Sequence, residues 1–123
     1  MVSEPLLHSF IASSFRSVWA LEVLKYLAAH RDATFSNSEL IEQLRVSDVV
    51  VANSVSTLAA AGLILVDADR GVGFGVAGPD QLQLVEASIA LYQTSPDKVR
   101  RLIVSGSAPG ITAFADAFRL RKE

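Results

Sequence analysis

The chain has 123 residues, half of them hydrophobic, with a net charge of −2 and no cysteine. That length and apolar content suit a single domain with its own core. The absence of cysteine excludes disulfides and thiolate metal sites and fits a cytoplasmic protein, and neither a membrane-length apolar run nor a basic-then-apolar leader is expected.

Ser3-Glu4-Pro5 predicts the start of a first helix, with a serine cap and a proline in the first turn. Leu6, Leu7, Phe10 and Ile11 form its face. Ser13-Ser14 either interrupts or weakens it. From Phe15 to His30 the sequence is strongly helical, and apolar residues run almost all round, so this helix is expected to be buried on more than one side. Ala33-Thr34 is a candidate for a short strand.

Ser36 then caps the next helix, with Glu39 three residues on and able to reach back to the Ser36 amide. Leu40, Ile41 and Leu44 make a stripe at helical spacing. Ser47 caps a further helix, and Asp48 is favourable against its N-terminal dipole. Val51, Val55 and Leu58 face inward there. Ala61-Gly62 ends it, with Gly62 expected in the left-handed conformation. Leu63 to Val66 is a strand, Asp67 to Gly71 a turn, and Val72 to Val76 the returning strand.

After the hairpin, Gly78-Pro79-Asp80 opens a helix with Leu82, Val85, Ile89 and Tyr92 on its face. Ser95-Pro96-Asp97 restarts another, with Val99, Leu102 and Ile103 inward. Gly106 to Gly110 reads as a loop. Ile111 to Lys122 reads as a final amphipathic helix, with Ile111, Phe114, Ala115 and Phe118 on one side.

Two helices joined by a short turn and followed by a hairpin predict a winged-helix (helix-turn-helix) domain, mostly α with a small β-hairpin wing. Glu39 to Ile64 resembles, without a gap, the helix-turn-helix of MarR-like and ArsR-like bacterial transcriptional regulators. The matching positions are Glu39-Leu40, Leu44, Val46-Ser47, Val51, Val55, Leu58 and Gly62-Leu63-Ile64. These are core and cap positions, which specify a fold better than an activity. The expected organisation is one domain, with a core at 15–77 and helical extensions at 1–14 and 78–123. The apolar faces Leu6 to Ile11, Leu82 to Tyr92 and Phe114 to Phe118 exceed what so small a core needs. A homodimer through the terminal helices is therefore expected, as the resemblance also implies.

The resemblance implies a dimer that binds DNA, with the second helix of the motif in the major groove and the wing on the backbone. The candidate DNA contacts are Arg45, Ser47, Asn53, Ser56, Thr57 and Arg70. Asn53 suits an adenine edge, and Ser56 or Thr57 a phosphate or base. Yet no Lys or Arg occurs from Val46 to Asp69, and the turn position often taken by glycine is Arg45. From Ser36 to Ala77 five acids face two bases, whereas from Lys98 onward six bases face two acids. The unit expected to read DNA is thus acidic and the tail basic, opposite to what phosphate neutralisation favours.

A second class of function stays open. Val49, Val50 and Ala52, if exposed together, form a small apolar patch that would suit a protein partner. Arg100, Arg101, Arg119, Arg121 and Lys122 read as a charged helix surface, a phosphate contact, or a dock for the acidic unit of a second subunit. No catalysis, cofactor or metal is expected. His8 and His30 lie far apart with no acid cluster. Gly71-Val72-Gly73-Phe74-Gly75 lacks the lysine and the following helix of a phosphate loop. Asp67 and Asp69 are expected to be solvated or paired with Arg70.

Overall fold

The computed structural model describes residues 3–76 and 78–106. The chain folds mostly into helices, with one small antiparallel sheet of three strands. The order is α1 (Glu4–Ser14), α2 (Val18–Ala29), β1 (Thr34–Phe35), α3 (Asn37–Leu44), α4 (Asp48–Ala60), β2 (Ile64–Asp67), β3 (Gly71–Phe74), α5 (Pro79–Thr94) and α6 (Pro96–Gly106).

Four of the helices begin on a serine. Ser3, Ser17, Ser36 and Ser47 each accept, on the side-chain oxygen, a backbone N–H three residues ahead, at 3.1–3.4 Å. At Ser36 the arrangement is reciprocal, because the Glu39 carboxylate accepts the Ser36 N–H at 2.8 Å. Such a cap satisfies amides that would otherwise lack partners. Helix α2 starts three residues later than its apolar run predicts. Phe15 takes an extended conformation as the C-cap of α1, and Ser17 supplies the cap of α2. The Phe15 side chain continues the hydrophobic pattern because it drops into the core, edge-on to Phe10, rather than because it is helical.

The short strand lies one residue later than expected, at Thr34–Phe35, and pairs with β3. β3 is the middle strand, flanked by β1 and β2. The β2–β3 hairpin pairs Ile64 with Phe74 and Asp67 with Gly71. Gly71 has φ +99°, and a Cβ there would collide with the Phe35 carbonyl, so this turn requires glycine. Gly62 occupies the left-handed position after α4, at φ +75°.

One hydrophobic cluster joins both ends of the described chain. Leu21, Leu24 and Leu27 of α2 meet Leu40, Val51 and Leu58 of α3 and α4, and Ile11, Phe15, Val85, Val99 and Ile103 of α1, α5 and α6 extend it. Helices α1 and α6 run parallel, with Glu4 beside Lys98 at one end and Ala12 against Gly106 at the other. The approach at Gly106 is backbone to backbone, and α6 remains helical through this residue where a loop is expected.

This packing changes the argument for a dimer. Ile11, Val85 and Tyr92 are buried within the chain itself, because α6 brings Val99 and Ile103 against them. These three residues of the α1 and α5 faces are therefore covered within the chain. Leu6 and Val104 remain outside this core. The expected helix at Ile111 to Lys122, with Phe114, Phe118, Arg119, Arg121 and Lys122, lies outside the described residues. Among the described residues no helix is long and apolar enough to cross a membrane.

Candidate functional site

Helix α4 turns Val51, Ser54 and Leu58 into the core, with Val55 half-buried. The opposite face is therefore fixed toward solvent. Asp48, Val49, Ala52, Asn53 and Ser56 are exposed, and Val50 and Thr57 are half-buried. Val49 is 62% exposed. Val50 sits on the flank, so the three small apolar residues do not form one equal patch.

Asn53, Ser56 and Thr57 are brought together. With Val50 and Ala60 they form one wall of an open groove of about 640 Å³, and Arg16, Ser17 and Trp19 at the start of α2 form the other. The packing of α2 against α4 is the most extensive between any two elements of the fold, so this juxtaposition is a fixed consequence of the core. Arg16 escapes a reading of the sequence by motif, because a tertiary contact puts it beside α4. A local signal does exist. Arg16 stands just before a helix N-terminus, where the dipole disfavours a cation. The residues three and four ahead, Trp19 and Ala20, offer no carboxylate. An arginine so placed adds nothing to helix stability.

Arg45 and Arg70 do not line this groove. Arg45 is the C-cap of α3 in a left-handed conformation, φ 57° and ψ 48°, and its side chain is exposed. It is the only non-glycine residue with positive φ among the described residues. The Ser47 hydroxyl oxygen is engaged in capping α4, which makes Ser47 first a folding residue. Arg70 is exposed at the hairpin turn.

Of the two expectations for the turn acids, solvation is the one met: Asp67 and Asp69 are both exposed. Asp67 does not pair with the Arg70 guanidinium. Its carboxylate accepts the backbone N–H groups of Asp69 and Arg70, at 2.7 and 3.0 Å. Those two bonds, that from Arg70 first, hold its pKa below the ordinary value of 3.8. Glu39 closes the capping box and Asp48 lies in the first turn of α4. Two of the five acids of this unit, Glu39 and Asp67, thus bond the backbone locally.

Among the described residues, lysine and arginine form ion pairs at Arg31–Glu86, Lys98–Glu4 and Arg100–Asp97. Arg31 also stacks over Phe74 of β3, 5.0 Å from the ring centre, and so ties α5 to the sheet. Arg16, Arg45 and Arg70 have no acid partner among these residues. Of the basic concentration expected at Arg100, Arg101, Arg119, Arg121 and Lys122, Arg100 is paired and Arg101 has no acid partner among the described residues, while the other three lie outside them.

The two histidines differ in their surroundings. His30 Nδ1 lies 2.8 Å from the Tyr26 carbonyl oxygen, whereas His8 Nε2 is buried without a hydrogen-bond partner among the described residues, 4.0 Å from Glu4. Tyr92 donates to Glu22, and burial, reinforced by that carboxylate, raises its pKa above 10.0. Among the described residues no three His, Cys, Asp or Glu side chains are gathered as a metal site would need. No protein-family profile, no curated protein and no solved structure matches the chain.

Proposed function

We propose that the chain is a winged-helix transcriptional regulator that binds DNA, with α4 in the major groove and the β2–β3 turn on the backbone. The observation that supports this most is the solvent face of α4. Asn53, Ser56 and Thr57 stand together beside Arg16, an arginine with no acid partner. Neutral donors and acceptors on a helix suit base edges, and an unpaired guanidinium suits a phosphate. Arg45 and Arg70 add two further free cations near the two ends of the α4–hairpin unit. The acids of that unit oppose phosphate, so the reading places the DNA contact on the face of α4 beside Arg16 rather than on the unit as a whole.

A dimer would use the outer surfaces of the terminal helices, where Leu6 and Val104 stay exposed, and would present two α4 helices to successive grooves. The test is anisotropy with fragmented host genomic DNA, at low salt and near ~200 mM. Tight binding at low salt that falls steeply, with some fragments retained, supports the regulator. Arg16→Ala, Arg45→Ala and Arg70→Ala should each flatten the salt slope by about one. Absence of binding at low salt rejects it. A second reading, a winged helix that docks a protein, is favoured by the exposure of Val49 beside Ala52 at the start of α4. It would then be tested by pull-down, with Val49→Asp as the variant that abolishes capture.

A further inference from the structure

The chain has one tryptophan, and that residue is 45% exposed. An indole is among the largest apolar surfaces a chain can bury, and α2 buries Ala20, Leu21, Val23, Leu24 and Leu27 without it. Trp19 instead lines the groove against α4. Arg16 lies before it, and Asn53, Ser56 and Thr57 face it. Among the described residues, Arg16 is the only charged side chain of the groove wall. The groove is thus cationic in a chain whose net charge is −2.

Three chemistries meet there: an aromatic surface, a guanidinium, and a row of neutral groups that both donate and accept. A bare anion would engage Arg16 and leave the indole idle. An apolar molecule would engage Trp19 and Val50 and leave the guanidinium without a counter-charge. A nucleotide engages all three. Its base stacks on an aromatic side chain, its polar edge meets an amide and hydroxyls, and its phosphate meets an arginine. The volume of about 640 Å³ falls within the range of roughly 300–1,000 Å³ usual for small-molecule sites.

We propose that the groove between the start of α2 and the face of α4 binds a single nucleotide, with its base against Trp19 and its phosphate on Arg16. The nucleotide is either free or an unpaired unit of a strand. The site rests on its own geometry. Only one consequence rests on the regulator reading: Asn53, Ser56 and Thr57 cannot serve a nucleotide and a duplex together, so an occupied groove weakens duplex binding.

The single tryptophan makes the test direct. The full-length chain is titrated with AMP, adenosine, inorganic phosphate and a short single-stranded oligonucleotide. Indole fluorescence is excited at the red edge of its band, where nucleotides do not absorb. The expected result is a saturable change with AMP, weaker with adenosine and absent with phosphate. Arg16→Ala should weaken it about tenfold or more, the usual scale for losing a charged hydrogen bond. Arg101→Ala, an exposed cation of α6, should leave it unchanged.

Saturation by AMP identifies a free nucleotide as the ligand. Saturation by the oligonucleotide alone identifies an unpaired strand, and both outcomes support the site. No saturation by either at ~10 mM, where a millimolar site would be mostly filled, overturns it. So does a response to phosphate equal to that of AMP, because the base would then contribute nothing. Duplex binding is measured on the same samples. Duplex binding without a nucleotide response overturns this inference and keeps the regulator; the reverse keeps the site and rejects the regulator.

Discussion

In the layer made by α1, α5 and α6, two of the three described cations of α6 meet acids: Lys98 lies 3.4 Å from Glu4 and Arg100 lies 2.7 Å from Asp97. In the half that runs from the start of α2 to β3, Arg16, Arg45 and Arg70 are exposed without an acid partner among the described residues, while Glu39 and Asp67 close a cap and a turn. Arg31, which pairs with Glu86 of α5 and covers Phe74 of β3, joins the two halves. A count of charges along the sequence does not show this difference. Sorting each described charge by what it already touches does, because a cation with a partner is less available than one without.

The contrast can be broken most severely at the core. Ile103, 1% exposed, lies where α6 closes the helical layer. Ile103→Ala should cost about 2–5 kcal/mol, read by denaturant unfolding. A loss below about 1 kcal/mol would mean that this layer contributes little to the fold.

Caps come next. Ser36→Ala and Ser47→Ala should each cost about 1 kcal/mol. The Ser36 variant should cost no more than the other, because the backbone N–H at position 36 still donates to the Glu39 carboxylate. A clearly larger cost at Ser36 would mean that the glutamate contact depends on the serine hydroxyl.

Arg45→Gly sharpens the contrast from the other side. Glycine suits φ 57° without the side-chain crowding that arginine meets there. Stability should rise by about 0.5–1 kcal/mol while a free cation is removed. A variant that melts higher and binds DNA more weakly would separate the two roles of that position. A fall in melting temperature would show that the Arg45 side chain contributes to stability.

The smallest effects belong to the paired cations. Lys98→Met should change stability by less than about 1 kcal/mol, since the pair with Glu4 is solvent-exposed, and should leave nucleic-acid affinity unchanged. Tyr92 gives the pH counterpart. Its pKa is raised in the folded chain, so the stability it contributes is complete below 10.0 and is lost as pH rises through its folded value. Tyr92→Phe should flatten that alkaline loss in pH-dependent melting.

Much of the fold is legible in the chain because the signals are short-range. Ser36 with Glu39, Ser47, Gly62, Pro79 and Pro96 each act within one turn of helix, and their consequences appear where local chemistry places them. Phe15 illustrates the opposite case. Its apolar side chain fits the helical pattern of the residues after it, but what it reports is burial against Phe10, not backbone conformation. Of the candidate site, Asn53, Ser56 and Thr57 follow from the inward phase of α4. Arg16 and Trp19 do not, because their place beside α4 is set by α2–α4 packing across more than thirty positions of sequence. The commitment of Asp67 to backbone amides, rather than to Arg70, is likewise decided by turn geometry that charge spacing does not encode.

The parallel pairing of α1 with α6 has a consequence for the order of synthesis. Glu4 and Lys98 meet across 94 positions, so Leu7, Phe10 and Ile11 emerge from the ribosome long before their neighbours on α6 exist. Helices α2 to α4 and the hairpin, by contrast, can complete their contacts from a much shorter stretch of chain. Non-local contacts of this span form slowly, and apolar surface left waiting for them is prone to self-association. A nascent chain stalled before Val99 should therefore hold a formed α2–β3 unit and a sticky amino-terminal segment. That segment is where a holding chaperone would engage during translation.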